Sequence, residues 1–270
     1  MSLLLKLVVA ALCGCAMVVL VAYFGQRKLI YFPDRARVQP IALGLAGVEE
    51  RILKTPDGER LVAWYARAKP GEPTLLYFHG NAGGLKDRAE RIGLFTSEGW
   101  GVYMLAYRGF AGSTGTPTEV ANVADARLAY GALLLEGVTA EATIAYGESL
   151  GSNVAARLAV ERRVGGLILE APYTSIAKLG RQIYPYLPVD LLLIDRYDTD
   201  RVIGQVKVPV LVLHGARDRT VPLAMGREIA NLANEPKRFV VLANAGHNNL
   251  YFDGNDALSA VRDWLRGLAR

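Results

Sequence analysis

Ser149 stands in Gly147-Glu148-Ser149-Leu150-Gly151, directly after the run Thr143 to Tyr146 and at the head of an amphipathic stretch. A strand-to-helix turn with glycine on both sides is the setting in which a serine hydroxyl can be held strained and exposed over a helix N-terminus. Serine is a weak nucleophile until a base takes its proton, so this reading demands a histidine, and the histidine an acid. The chain has 3 His, at 79, 214 and 247. In the order serine, acid, histidine, only His214 and His247 qualify as the base. His214 closes an apolar run before Gly215, which suits it to shaping a turn. His247 lies in the polar loop Ala245-Gly246-His247-Asn248-Asn249, from which a side chain can swing over a sheet edge, and is taken as the base. Asp218, in His214-Gly215-Ala216-Arg217-Asp218-Arg219-Thr220-Val221-Pro222, is the expected acid. Its plainer role would be to cap the next helix or pair with Arg217 and Arg219. Glu170 is the rival acid, and Ser152 reads as packing or first-turn capping.

Attack on a carbonyl also needs donors for the developing oxyanion. His79-Gly80-Asn81-Ala82-Gly83-Gly84 follows an apolar strand, and its small residues let the backbone approach closely. The expected donors are the backbone N–H groups of Asn81 and Leu150. A phosphate loop is the competing reading, but Lys86 is followed by Asp87 and the Walker spacing is absent. Tyr107-Arg108-Gly109-Phe110-Ala111-Gly112-Ser113 reads as structural, with Arg108 facing an acidic group.

Positioning these residues requires a sheet with crossover helices. Strands are expected at Glu50 to Thr55, Leu61 to Ala66, Thr74 to Phe78, Val102 to Ala106, Thr143 to Tyr146, Leu167 to Glu170, Val210 to His214 and Phe239 to Leu242. Helices are expected at Asp87 to Ser97, Val120 to Glu136, Leu150 to Glu161, Leu223 to Leu232 and Ala257 to Leu268. Pro56-Asp57-Gly58 turns the first two strands into an antiparallel hairpin. The later strands are continuous apolar runs, as when helices cover both faces of a parallel sheet. Nearly forty residues separate Glu170 from Val210, too many for an ordinary connection. The segment 173–206 is therefore expected to form a lid, with Tyr184 and Leu192 among its substrate-contacting residues.

Composition narrows the function classes. Of 270 residues, 51% are hydrophobic and 21% charged, which excludes disorder and coiled coil. The 31 basic and 26 acidic residues are interspersed, so no nucleic-acid partner is expected. Cys13 and Cys15 both lie in the N-terminal apolar run, and no His-Glu-x-x-His spacing occurs, so no metal and no cofactor is expected. From Leu7 to Phe24 no residue is charged, and at 1.5 Å per residue this stretch reaches about 27 Å, close to a hydrocarbon core. Lys6 before it, and Tyr23, Phe24, Arg27, Lys28, Tyr31 and Phe32 at and beyond its end, can settle at the interface. The reading is an uncleaved single-pass anchor over residues 1–25, a linker over 26–47 and a catalytic domain over 48–270. A cleaved signal peptide or a lipoprotein site at Cys15 competes with it. The cationic flank after the span favours a cytoplasmic domain.

Together, HGNAG at 79–83, YRGFAGS at 107–113, GESLG at 147–151, EAPYTS at 170–175, HGARDRTVP at 214–222 and AGHNNL at 245–250 resemble the α/β-hydrolase superfamily. Within it the chain is similar to membrane-anchored α/β-hydrolase-domain proteins, a group that includes protein depalmitoylases. The resemblance implies the α/β-hydrolase fold, a mostly parallel eight-stranded sheet with helices on both faces and a short lid. It implies a triad of Ser149, Asp218 and His247, acting on an ester or thioester substrate through an acyl-enzyme. Amide or peptide substrates, and a non-catalytic binding module on the same fold, are the alternatives. Ala111 departs from the glycine common among relatives.

Overall fold

The structure is a computed structural model and describes residues 2–268. Ten strands form: β1 (Phe32–Pro33), β2 (Val48–Lys54), β3 (Arg60–Ala66), β4 (Thr74–Phe78), β5 (Ala82–Gly83), β6 (Gly101–Leu105), β7 (Thr143–Glu148), β8 (Gly166–Glu170), β9 (Val210–Gly215) and β10 (Lys237–Leu242). Eight of them make one sheet, in the order β10-β9-β8-β7-β4-β6-β3-β2. Pairing is parallel from β10 to β6. The β2–β3 hairpin and the β3–β6 pair are antiparallel. Strands β4, β6, β8 and β9 are buried along their whole length, the reason their sequences are unbroken apolar runs rather than alternating ones.

The helices are α1 (Leu3–Ile30), α2 (Ala89–Ser97), α3 (Glu119–Leu135), α4 (Gly151–Glu161), α5 (Ile176–Ile183), α6 (Val189–Leu192), α7 (Leu223–Leu232) and α8 (Ala257–Leu268). Thr118 caps α3 by accepting from the Ala121 N–H, and Ser175 caps α5 by accepting from Lys178. The α/β-hydrolase architecture expected from the sequence is present, with the eight expected strands and the five expected helices (α2, α3, α4, α7 and α8) close to their expected ends.

Three features differ from the sequence reading. Helix α1 is 28 residues long and continues past residue 25, and its last turn docks on the domain through buried Gln26 and Ile30. The residues after it are not an irregular linker throughout. Phe32 and Pro33 pair with Ala82 and Gly83, with the Phe32 N–H donating to Asn81 O at 2.8 Å and Asp34 N–H to Gly83 O at 2.9 Å. A two-residue pairing ending in proline has too little periodicity to be read in a sequence. Third, the insertion after β8 divides. Its outer part carries α5 and α6, whereas Tyr197, Ile203 and Val206 return into the hydrophobic core.

The turn between β7 and α4 allows no Cβ at its glycines. At Gly151 a methyl group would collide with the Phe78 carbonyl oxygen, and at Gly147 with the backbone of Gly151 and Ser152. Both obstacles are backbone, which cannot swing aside as a side chain would. Gly151→Ala is expected to cost at least about 1–3 kcal/mol by overpacking, seen as a fall in Tm of several degrees. An unchanged Tm would contradict this close approach.

Candidate active site

Ser149 sits at the bend with φ at +49°, in the left-handed region that a residue with a Cβ occupies only when its surroundings compel it. The surroundings do so here: the Ser149 N–H donates to Glu170 O at 2.8 Å, and the Ser152 N–H donates back to Ser149 O at 2.9 Å. The side chain thereby projects at the N-terminus of α4.

His247 arrives from the loop after β10. Its Nε2 lies 3.0 Å from Ser149 Oγ and its Nδ1 lies 2.7 Å from Asp218 Oδ2. A carboxylate only accepts, so Nδ1 carries the proton and Nε2 is free to receive one from the serine hydroxyl. Asp218 is anchored from its other oxygen, Oδ1, which accepts from the backbone N–H of Thr220 and of Val221, both at 2.8 Å. The Asp218 carboxylate is fully buried and the His247 ring nearly so. Burial alone would raise the Asp218 pKa, but hydrogen bonds from His214, His247 and the Val221 amide outweigh it and hold the carboxyl well below the usual range. Asp218 is therefore a charged acceptor at neutral pH.

His214 does more than shape a turn. Fully buried, it donates from Nε2 to Val221 O at 3.0 Å, and the same nitrogen lies 3.4 Å from Asp218 Oδ2. It braces the acid from the side opposite to the backbone amides' oxygen. The clue available in the sequence was the i, i+4 spacing of His214 and Asp218.

The rival acid is elsewhere. Glu170 Oε2 accepts from Arg91 Nη1 at 2.9 Å and from the Tyr146 hydroxyl at 2.5 Å. It belongs to a buried cluster in which Glu148 pairs with Arg88 at 2.6 Å and Arg91 at 3.3 Å. Burial opposes ionisation of both carboxyls. Two guanidiniums hold the Glu148 pKa low despite it, while burial prevails at Glu170 and pushes its pKa up. The cluster reaches the histidine loop through Tyr146 and Tyr251, whose hydroxyls are 2.7 Å apart. Sequence reading missed this cluster because its members lie scattered from residue 77 to residue 251.

The loop after β4 carries Asn81, one of the two expected oxyanion donors. Neither the Asn81 nor the Leu150 N–H is committed to a loop or turn hydrogen bond among the described residues. His79 orients the first of them. Its Nε2 accepts from the Tyr107 N–H at 3.3 Å, so Nδ1 carries the proton and donates to Gly80 O at 2.7 Å. Gly80 C=O and Asn81 N–H belong to one planar peptide unit, so holding the carbonyl aims the amide. Burial pushes the His79 pKa down to about 3, which keeps the ring neutral and this tautomer available. The Asn81 side chain donates to Ile30 O at 2.7 Å, tying the loop to the end of α1. Arg108, as expected, pairs with acids: Asp125 at 2.8 Å and Asp57 at 2.5 Å. Ala111 takes φ at +48°, so it occupies, at some strain, the conformation glycine would take freely.

A cavity of about 340 Å³ adjoins the site at Asn81 and Thr220. Tyr184 and Leu192 both line it, together with Ile176, Leu179 and other uncharged residues of the outer insertion.

Residues 70–193 match the family described as Hydrolase_4, serine aminopeptidase S33. The chain is 39% identical over 252 residues to the uncharacterized protein Rv2307c of Mycobacterium tuberculosis, covering 92% of this chain and 90% of that one. It is 31% identical over 197 residues to the lysophosphatidylserine lipase ABHD12 of Danio rerio, covering 64% of this chain and 51% of that one. Among solved structures, the Pyrococcus furiosus esterase Pf2001 superposes with a TM-score of 0.70 at 18% identity, over 88% of this chain and 98% of that one. Motif order, sheet order and these likenesses agree: the chain belongs to the α/β-hydrolase family.

Proposed function

We propose that the protein is a serine hydrolase that cleaves carboxylic esters or thioesters through an acyl-enzyme intermediate and is held at a membrane by α1. The observation that carries this reading is the unbroken hydrogen-bond chain from Ser149 through His247 to a buried, ionised Asp218. As Ser149 Oγ bonds to the substrate carbonyl carbon, its proton passes to His247 Nε2, and the Asp218 carboxylate stabilises the imidazolium. The carbonyl oxygen gains the charge, facing the Asn81 and Leu150 amides. Collapse breaks the bond to the leaving alcohol or thiol, which takes the proton from Nε2. Water then enters and loses a proton to the same nitrogen as its oxygen bonds to the acyl carbon; the bond to Ser149 Oγ breaks, Oγ takes the proton back from Nε2, and the carboxylic acid leaves.

The cavity favours an acyl substrate over a peptide. An aminopeptidase needs a carboxylate to hold the substrate's ammonium group, whereas every residue lining this cavity is uncharged and most are apolar. The relative ABHD12 is a lysophosphatidylserine lipase, which supports the same class. Helix α1 is long and apolar enough to cross a membrane, and its exposed residues from Leu3 to Phe24 are overwhelmingly apolar.

Two measurements test the proposal. A fluorophosphonate probe should label the intact protein at Ser149, and absence of labelling under conditions where the chain is folded would remove the reading. In an ester series, each buried CH₂ contributes about 0.8 kcal/mol, so lengthening the acyl chain from four to eight carbons should raise kcat/KM by more than about tenfold. Leu192→Asp or Tyr184→Asp should erode that preference more than it erodes turnover of acetyl esters. Rates falling steadily from two carbons upward in the wild type would favour a small substrate instead.

A further inference from the structure

The cavity beside the site is not walled by the lid alone. Ala22, Gln26, Leu29 and Ile30 of α1 line it as well. Their spacing places them on one helical face, and the eight steps from Ala22 to Ile30 cover about 12 Å at 1.5 Å each. One end of this strip is bonded to the site, since Ile30 O accepts from the Asn81 side chain at 2.7 Å. The other end lies beside Tyr23 and Phe24, where the exposed apolar stretch that begins at Leu3 finishes.

Gln26 is the strip's polar member, and its amide is consumed. Its Nε2 donates to Tyr23 O at 2.8 Å and Leu192 O at 3.1 Å, and its Oε1 accepts from the Ile194 N–H at 2.7 Å. These bonds seal helix to lid without presenting free polarity to the cavity. Asp195 adds to the seal, accepting from Arg27 Nε at 3.1 Å and from the Tyr31 hydroxyl at 3.2 Å. No slack separates the helix from the domain either, because β1 begins two residues after α1 ends. A segment that merely tethered the enzyme would need neither a sealed face nor a rigid exit.

We propose that the C-terminal turns of α1 form the specificity-determining wall of an acyl channel, which receives the acyl chain of a bilayer lipid along the Ala22–Ile30 face. This inference rests on the serine-hydrolase reading of Ser149. The channel runs from the membrane end of α1 to the Asn81 amide, so the ester carbonyl reaches the nucleophile while the tail stays on an apolar surface. Such a path spares the tail from water during extraction, the step that otherwise opposes removal of a lipid from a bilayer.

The test uses the intact protein in phosphatidylcholine vesicles with p-nitrophenyl butyrate and p-nitrophenyl laurate. Ala22→Trp fills the membrane end of the channel. It should lower the laurate-to-butyrate ratio of kcat/KM by about tenfold or more, the size of effect that added bulk has on a shape-selective apolar pocket. Leu20→Trp, an exposed position on another side of the same helix, should leave the ratio unchanged. If both ratios shift together, or the Ala22→Trp ratio stays put, the channel is overturned. Should Ala22→Trp no longer label with fluorophosphonate, Gln26→Leu carries the comparison. It keeps the bulk but cuts the bonds to Leu192 and Ile194, and it should raise KM for laurate more than for butyrate; equal changes overturn the proposal. A wild-type chain that takes up no probe and cleaves neither ester would instead remove the underlying serine-hydrolase reading.

Discussion

Ser149→Ala and His247→Ala should each lower kcat for a soluble ester by about 10⁶, and the double variant should lose little more, because nucleophile and base act as one unit. The geometry gives the reason. Without the imidazole 3.0 Å from Oγ, the hydroxyl has nowhere to send its proton. Without the hydroxyl, a well-oriented base faces nothing but water. The activity that remains should be that of the Asn81 and Leu150 amides and of binding, about 10³ to 10⁴ above the uncatalysed rate. Neither change opens a cavity in the sheet, since both side chains lie at its edge, so circular dichroism and Tm should match the wild type. Ser149→Ala keeping more than roughly a tenth of the wild-type rate would be far outside the effect expected of a nucleophile and would place the chemistry on another residue.

The turn that carries the candidate nucleophile was legible because its environment is local. Gly147, Ser149 and Gly151 answer to backbone sterics within five residues, and their spacing survives in one dimension. The glycine-rich loop after β4 was legible for the same reason, and the sheet because β4, β8 and β9 are buried on both faces and so read as apolar runs. What escaped depends on distance in sequence. The bracing of Asp218 by His214 follows from the strand ending where it does. The aiming of the Asn81 amide by His79 needs Tyr107 from the neighbouring strand. The cluster of Arg88, Arg91, Glu148 and Glu170 assembles across four elements, and nothing in the separate segments announces it. In the sequence the end of α1 reads as the start of a linker because charges at Arg27 and Lys28 look like an exit from a membrane. In the fold they also place basic groups in the last turn, where the helix dipole favours them, while Gln26 and Ile30 on the other side dock.

The two acids that competed in the sequence can be told apart by which property each one controls. Asp218→Asn keeps the shape but removes the charge beneath the imidazole, and an amide nitrogen in place of Oδ2 would donate to His247 Nδ1. That drives the ring's proton to Nε2, facing Ser149, where it can no longer accept. The expected loss in kcat is about 10⁴, with KM little changed, because the acid stabilises the imidazolium of the transition state rather than the bound substrate. Glu170→Gln should behave in the opposite way. The Glu170 side chain bonds to neither Ser149 nor His247; the contact with Ser149 is through the Glu170 backbone carbonyl, which the substitution keeps. The carboxylate is fully buried against Arg91, and breaking a buried ion pair by removing one partner costs about 3–5 kcal/mol. Its signature is therefore a lower Tm with kcat close to wild type in the folded fraction. The side-chain route from Glu170 to the histidine loop runs through Tyr146 and Tyr251, and that route alters position rather than charge. Measuring kcat and Tm for both variants separates the roles. A Glu170→Gln protein that keeps its Tm but loses kcat as steeply as Asp218→Asn would make Glu170 the working acid and the Asp218 contact incidental.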